Sequence, residues 1–124
     1  MIDITRGERA AYFFDPEFDV EFYDDDAKGE YEECILRTGS EFDFIREFFK
    51  FIHGGSRTNI KKLDYVSIPI FLYRCNYLER ICFRYNSENN AVTIFGVIND
   101  CNYDKIEKRV KSYQQLLYNA NTNR

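Results

Sequence analysis

The sequence predicts an α+β domain: an antiparallel sheet, built from an N-terminal strand and a three-stranded meander, with two helices packed on one face and a further helix at the C-terminus. Three observations predict it. Residues 40–55 repeat large apolar side chains at helical spacing between a cap and a stop. Residues 68–98 switch to extended patterning with short connections, and residues 102–119 return to a helical period.

Taken in order, residues 1–17 hold Pro16 and little periodicity, and read as an N-terminal extension with at most a short edge strand at AAYFF. FDVEFY sets Phe18, Val20 and Phe22 against Asp19, Glu21 and Tyr23, the period of a strand. Asp24, Asp25 and Asp26 follow as an N-cap and first-turn carboxylates, which suit the positive end of a helix. Ala27, Tyr31, Cys34 and Ile35 then make a narrow apolar stripe that packs inward and leaves the acidic side in water. The second helix has Ser40 and Asp43 as a capping box and Gly54 and Gly55 as a stop; Phe44, Ile45, Phe48, Phe49 and Ile52 form its broad apolar face. SRTNIKKLDYVS reads as a loop or frayed helix end, made positive by Arg57, Lys61 and Lys62. IPIFLYRC is almost continuously apolar, as a strand covered on both faces is, with Pro69 tolerated near its start. LERICFRY and AVTIFGVIN are strands joined through NSENN, whose asparagines accept the left-handed backbone of a hairpin turn. The last helix faces inward through Ile106, Val110, Tyr113 and Leu117, with Asn102 able to cap it. One domain over residues 18–118 and a frayed tail at 119–124 complete the plan.

A chain of 124 residues supports a single core, and 44% hydrophobic content with 12 Phe and 10 Tyr excludes a disordered class. No apolar run approaches the roughly 20 residues of a membrane span, and MIDITRGERAAYFF lacks the pattern of a secretory leader, so the expectation is a cytoplasmic protein with no membrane partner. Cys34, Cys75, Cys82 and Cys101 show neither a CxxC pair nor zinc-ligand spacing with His53, so no metal and no cofactor is expected. Reduced thiols are expected in that compartment, although Cys75 and Cys82 can face each other across a hairpin. The charge is polarised: residues 1–50 hold 6 basic and 15 acidic residues, a net of minus 9, whereas residues 51–124 hold 11 and 6, a net of plus 5. Such asymmetry fits surfaces that meet different partners, and equally two solvated faces of opposite sign.

The order of elements, with the strings VEFYDDDAKGEYEECI, KKL, FLYRC, ERICFRY and VTIFGVIND over about residues 18–112, resembles the RelE/ParE superfamily of type II toxin-antitoxin toxins. The resemblance implies a compact toxin neutralised by a cognate antitoxin that wraps its surface. Ribosome-dependent members cut messenger RNA, and ParE-like members inhibit gyrase. In the cleaving members a ribose 2′-hydroxyl attacks the neighbouring phosphate, which requires a proton acceptor, cations for the charge building on phosphate oxygens, and a donor for the leaving oxygen, with no metal. Carried over by position, Arg80 matches the phosphate-stabilising arginine, Arg74 the basic residue ending the preceding strand, and Tyr103 lies near the aromatic or basic residue after the last strand. Arg84 shares the face of Arg80 by strand alternation, and Lys61 and Lys62 form a basic patch able to contact phosphates. Ile70 and Leu72 stand where cleaving members often carry two lysines, and the basic residue after the last strand is replaced around Ile98, Asn99 and Asp100. Apolar residues on that face suit a covering peptide or protein.

Plainer readings stand beside these. Arg80 and Arg84 can form cross-strand salt bridges with Glu79 or with an acid of the first helix; Arg74 can point to solvent, and Tyr103 can pack beside a helix start. His53 reads as a cation at a helix end, and the phenylalanine stripe as core. Asp24, Asp25 and Asp26 lack the glycine and distal glutamate of a calcium loop. Two further function classes remain open: a non-enzymatic binding protein, such as an acidic phage-type inhibitor that mimics nucleic-acid charge through the first 50 residues, and a toxin-fold scaffold without catalysis.

Overall fold

A computed structural model describes residues 19–39, 41–52, 59–63, 69–99 and 101–122. The extension at 1–17, Ser40, His53, Gly54, Gly55 and Arg57 lie outside the described residues. The elements are β1 (Asp19–Phe22), α1 (Asp25–Thr38), α2 (Glu41–Ile52), β2 (Ile60–Leu63), β3 (Ile70–Arg74), β4 (Arg80–Asn86), β5 (Ala91–Ile98) and α3 (Tyr103–Thr122). The chain is α+β, with one five-stranded sheet in the order β1-β5-β4-β3-β2.

Two features of the sheet differ from the expectation. It is mixed rather than purely antiparallel, because β1 runs parallel to β5, with Asp19 opposite Ala91 and Phe22 opposite Ile94. The alternation in FDVEFY has the same period whichever way a strand runs, so it carries no direction. The second difference is β2, an edge strand antiparallel to β3 where a loop or helix end was expected. Ile60 packs against one core and Leu63 against another, while Lys61 and Lys62 between them stay exposed. The Arg74 N–H donates to the Asn59 carbonyl at 3.0 Å and extends this pairing.

Helix α1 starts where Asp24 Oδ1 accepts the Ala27 N–H at 2.7 Å. It stops at Gly39, whose φ of 66° lets its N–H reach the Ile35 carbonyl. Tyr31 and Cys34 of α1 and Phe44 and Phe48 of α2 join Tyr73, Ile81, Phe83, Val92 and Ile94 in one core, so these two helices share a sheet face. Phe44 and Phe48 both meet the Phe83 ring edge-on, with centroids 5.2 and 5.1 Å away. Helix α3 covers the other face, where Ile106 and Val110 pack on Ile70, Cys82, Phe95 and Ile98. Cys75 packs on the first core and Cys82 lies in the second, so strand alternation sends these two thiols to opposite sides rather than across a hairpin from one another. Among the described residues no helix is long and apolar enough to cross a membrane.

Strand β5 carries a bulge. Cys82 pairs with Gly96 and Phe83 with Ile94, which leaves Phe95 as the extra residue. Gly96 has a φ of 140°, and a Cβ there would lie 2.5 Å from both Arg109 Nη1 and Glu30 Oε1 and 2.6 Å from Ile106 Cδ1. Only glycine fits this backbone and this space. The β1 ladder finishes with the Tyr23 N–H on the Ile94 carbonyl at 2.9 Å, and side chains continue it. Arg109 Nη1 donates to the Phe95 carbonyl at 2.8 Å, the Val97 N–H donates to Glu30 Oε1 at 3.2 Å, and Asn102 Nδ2 donates to the Val97 carbonyl at 2.7 Å. Arg109 also binds both Glu30 oxygens, at 3.0 and 2.8 Å, with Lys105 Nζ 3.2 Å from Oε2. Desolvation pushes the Glu30 carboxyl up, but the hydrogen bonds from Arg109, the Val97 amide and Lys105 outweigh it and hold the group below the usual carboxylate range.

Candidate functional site

Strands β3 and β4 deliver two arginines to one place. Arg74 ends β3, Arg80 begins β4, and the two are directly opposite in the register. Facing residues of an antiparallel pair have Cα atoms about 4.5–5.5 Å apart, and like charges in that arrangement are destabilising. The turn between them is well held: Asn76 Oδ1 accepts the Leu78 and Glu79 N–H groups at 2.8 and 2.7 Å, and the Cys75 N–H donates to the Glu79 carbonyl at 3.0 Å. This geometry turns Glu79 away from the strand arginines, and its carboxylate pairs with Arg37 of α1 instead. Among the described residues, the ion pairs engage Arg37, Arg46, Lys50, Lys105, Arg109 and Lys111, and none engages Arg74, Arg80 or Lys61.

Arg74, Arg80 and Lys61 line an open cleft of about 650 Å³. Lys61 enters because β2 pairs it with Leu72, on the face opposite the Phe71 side chain. Tyr103, the first residue of α3, and Asn99, just beyond β5, line the same cleft; Leu72 and Ile98 give it an apolar part. Tyr103 is 42% exposed. Because α3 begins at this wall, its amide end adds a dipole that favours negative charge there. Asn102 precedes the helix, but its side chain serves the preceding turn: Oδ1 accepts the Asn99 N–H at 2.8 Å, while its backbone carbonyl accepts the Ile106 N–H.

Four of the six residues singled out in the sequence therefore converge: Lys61, Arg74, Arg80 and Tyr103. Arg84 and Lys62 do not line the cleft. Arg84 shares the sheet face of Arg80, but the rise of four steps along the strand sets them about 13 Å apart, and α3 covers the interval by packing Ile106 and Val110 on Cys82. Arg84 instead donates to the Tyr113 hydroxyl at 2.9 Å, with its guanidinium carbon 5.6 Å from the centre of that ring. Lys62 pairs with Phe71 and so projects on the face of α1 and α2. Asn59 also lines the cleft, and nothing in its local pattern singles it out. Asn99 falls where the resemblance places a basic residue, which was the available signal.

No family model matches the chain, and no curated protein matches it in sequence.

Proposed function

We propose that the cleft binds the phosphate backbone of single-stranded RNA and that the protein is a RelE/ParE-like toxin, a metal-independent messenger RNA endonuclease acting with the ribosome and held inactive by a cognate antitoxin. The observation that carries this reading is the Arg74–Arg80 juxtaposition across a strand pair, with Lys61 and Tyr103 in the same cleft. Two facing guanidinium groups without a carboxylate among the described residues cost stability, and a phosphate between them offsets that cost. In the proposed reaction the ribose 2′-oxygen attacks phosphorus and the 5′-oxygen leaves. Arg80 and Arg74 stabilise the charge that builds on the non-bridging oxygens, and the Tyr103 hydroxyl exchanges the proton with the entering or leaving oxygen.

Leu72 and Ile98 support a second reading, in which the same cleft grips a protein, either an antitoxin segment or a target such as gyrase, without cutting RNA. Binding of fluorescent single-stranded RNA across a salt series tests the first. Arg80→Ala and Arg74→Ala should each weaken binding by about tenfold and lower the salt slope by about 0.7, whereas Lys62→Ala should leave both unchanged. Expression without an antitoxin should arrest growth, and Arg80→Ala should relieve the arrest. Unchanged RNA affinity in both arginine variants overturns the first reading; arrest without message cleavage selects the second.

A further inference from the structure

We propose that the turn between β3 and β4 is a stacking platform for a nucleobase, with Tyr77 and Leu78 holding the base of a nucleotide whose phosphate lies in the arginine cleft. The inference rests on the RNA-binding reading of that cleft. Tyr77 is 83% exposed and Leu78 59% exposed, and the Tyr77 ring meets no other ring among the described residues. The two form the apolar wall of an open recess of about 500 Å³. Adjacent large apolar side chains left in water on a recess of that size mark a surface that takes a ligand.

The recess joins the cleft, because Asn99 lines both. Tyr77 is three residues from Arg74 and three from Arg80, so its Cα lies within about 11 Å of each, a gap that a nucleotide bridges from its phosphate to its base. The turn is also held in place before anything binds. Asn76 Oδ1 accepts the Leu78 and Glu79 N–H groups, its Nδ2 donates to Glu79 Oε1 at 3.0 Å, and the other Glu79 oxygen pairs with Arg37. A platform already ordered loses little freedom when a base settles on it.

Charge decides which part of the nucleotide enters which site. Arg74, Arg80 and Lys61 make the cleft cationic, whereas the described charges of the recess, Arg37 and Glu79, cancel in one ion pair. The phosphate is therefore drawn to the cleft and the uncharged base to the recess. Asn99 Oδ1 accepts the Cys101 N–H at 2.8 Å, which leaves Nδ2 as the donor for an acceptor on the base edge. An exposed aromatic face beside a basic groove is the means by which single strands are held. A stable protein interface needs about 800 Å² from each partner, more than two side chains of a turn supply.

The test uses the full chain and two fluorescent octamers, an oligoadenylate RNA and a ribose-phosphate chain of the same length without bases. Tyr77→Ala should weaken binding of the RNA by about tenfold, leave its salt slope unchanged because no phosphate contact is lost, and leave binding of the base-free chain as it was. Arg80→Ala should weaken both. Tyr77→Phe, which keeps the ring, should bind as the parent does. The protein has no tryptophan, so Tyr77→Trp supplies a single reporter, whose emission the RNA should quench and the base-free chain should not. RNA binding that needs Arg80 but not Tyr77 overturns this inference and spares the reading of the cleft. No RNA binding by the parent, or an affinity that neither Arg80→Ala nor Tyr77→Ala changes, overturns both. Growth arrest lost in Tyr77→Ala with RNA affinity intact overturns it in favour of a protein partner at the turn.

Discussion

Replacing Gly96 by alanine should remove a large share of the protein's stability. The added methyl meets Arg109 Nη1 and Glu30 Oε1 at 2.5 Å and Ile106 Cδ1 at 2.6 Å, and the φ of 140° is strained for any residue with a Cβ. The backbone term costs about 1–3 kcal/mol. Forcing Arg109 away from Glu30 separates a pair in which the arginine is 7% exposed, a change that costs about 3–5 kcal/mol in a fully buried setting and less here, because the Glu30 side chain is 21% exposed. A total of about 3–5 kcal/mol follows, read by urea denaturation as a midpoint lowered by about 2 M. The mechanism makes a sharper demand on the double variant. With Arg109→Met already in place the obstructing guanidinium is gone, so Gly96→Ala should then cost at least about 1 kcal/mol less than in the parent. A midpoint shift under about 0.5 M, or an equal cost in both backgrounds, would refute the account of why glycine occupies this position.

Further outcomes follow from other contacts. Because the Glu30 carboxyl is held below its ordinary value of 4.5, its stabilisation is complete above that pH and is lost as pH falls through the lower folded value; stability measured against pH should decline less steeply below about 4.5 in Glu30→Gln than in the parent. Phe48→Ala, which empties a site 2% exposed between Phe83, Tyr85 and Phe44, should cost about 3–5 kcal/mol by urea denaturation. Tyr113→Phe removes the acceptor of Arg84 and should cost about 1–2 kcal/mol while leaving RNA affinity intact, because that contact lies outside the cleft. Iodoacetamide at neutral pH should label Cys101 rapidly and Cys82 only on unfolding, as quantified by mass spectrometry.

Local chemistry made several parts of this fold legible. Asp24 acts as the cap its position announced, and the NSENN turn places Asn90 at φ 56° with its side chain accepting the Tyr85 hydroxyl at 2.6 Å. The cleft was half legible for a related reason: alternation along β3 and β4 assigns Arg74 and Arg80 to one face, and a short turn forces their ends together. What alternation cannot supply is position along that face. It grouped Arg84 with Arg80, and only the path of α3 decides which arginine is covered. Strand β2 leaves little trace in the sequence because two lysines fill the middle of four residues, so its only apolar signal is one residue at each end. Glu30 and Arg109 share no sequence pattern at all; they meet because the short β1 stops at Phe22 and leaves the rest of β5 to be satisfied by whatever helices pass nearby.

That short β1 has a consequence for solubility. Beyond it, the outer rim of β5 would offer the Phe95 carbonyl, the Val97 amide and the Val97 carbonyl to any extended polypeptide, the usual route to cross-chain association of β-proteins. Arg109, Glu30 and Asn102 occupy those groups one by one, so a guanidinium, a carboxylate and an amide do the work of a guard strand without being copyable by a neighbouring molecule. Loosening that guard should convert a well-behaved solution into one that scatters light.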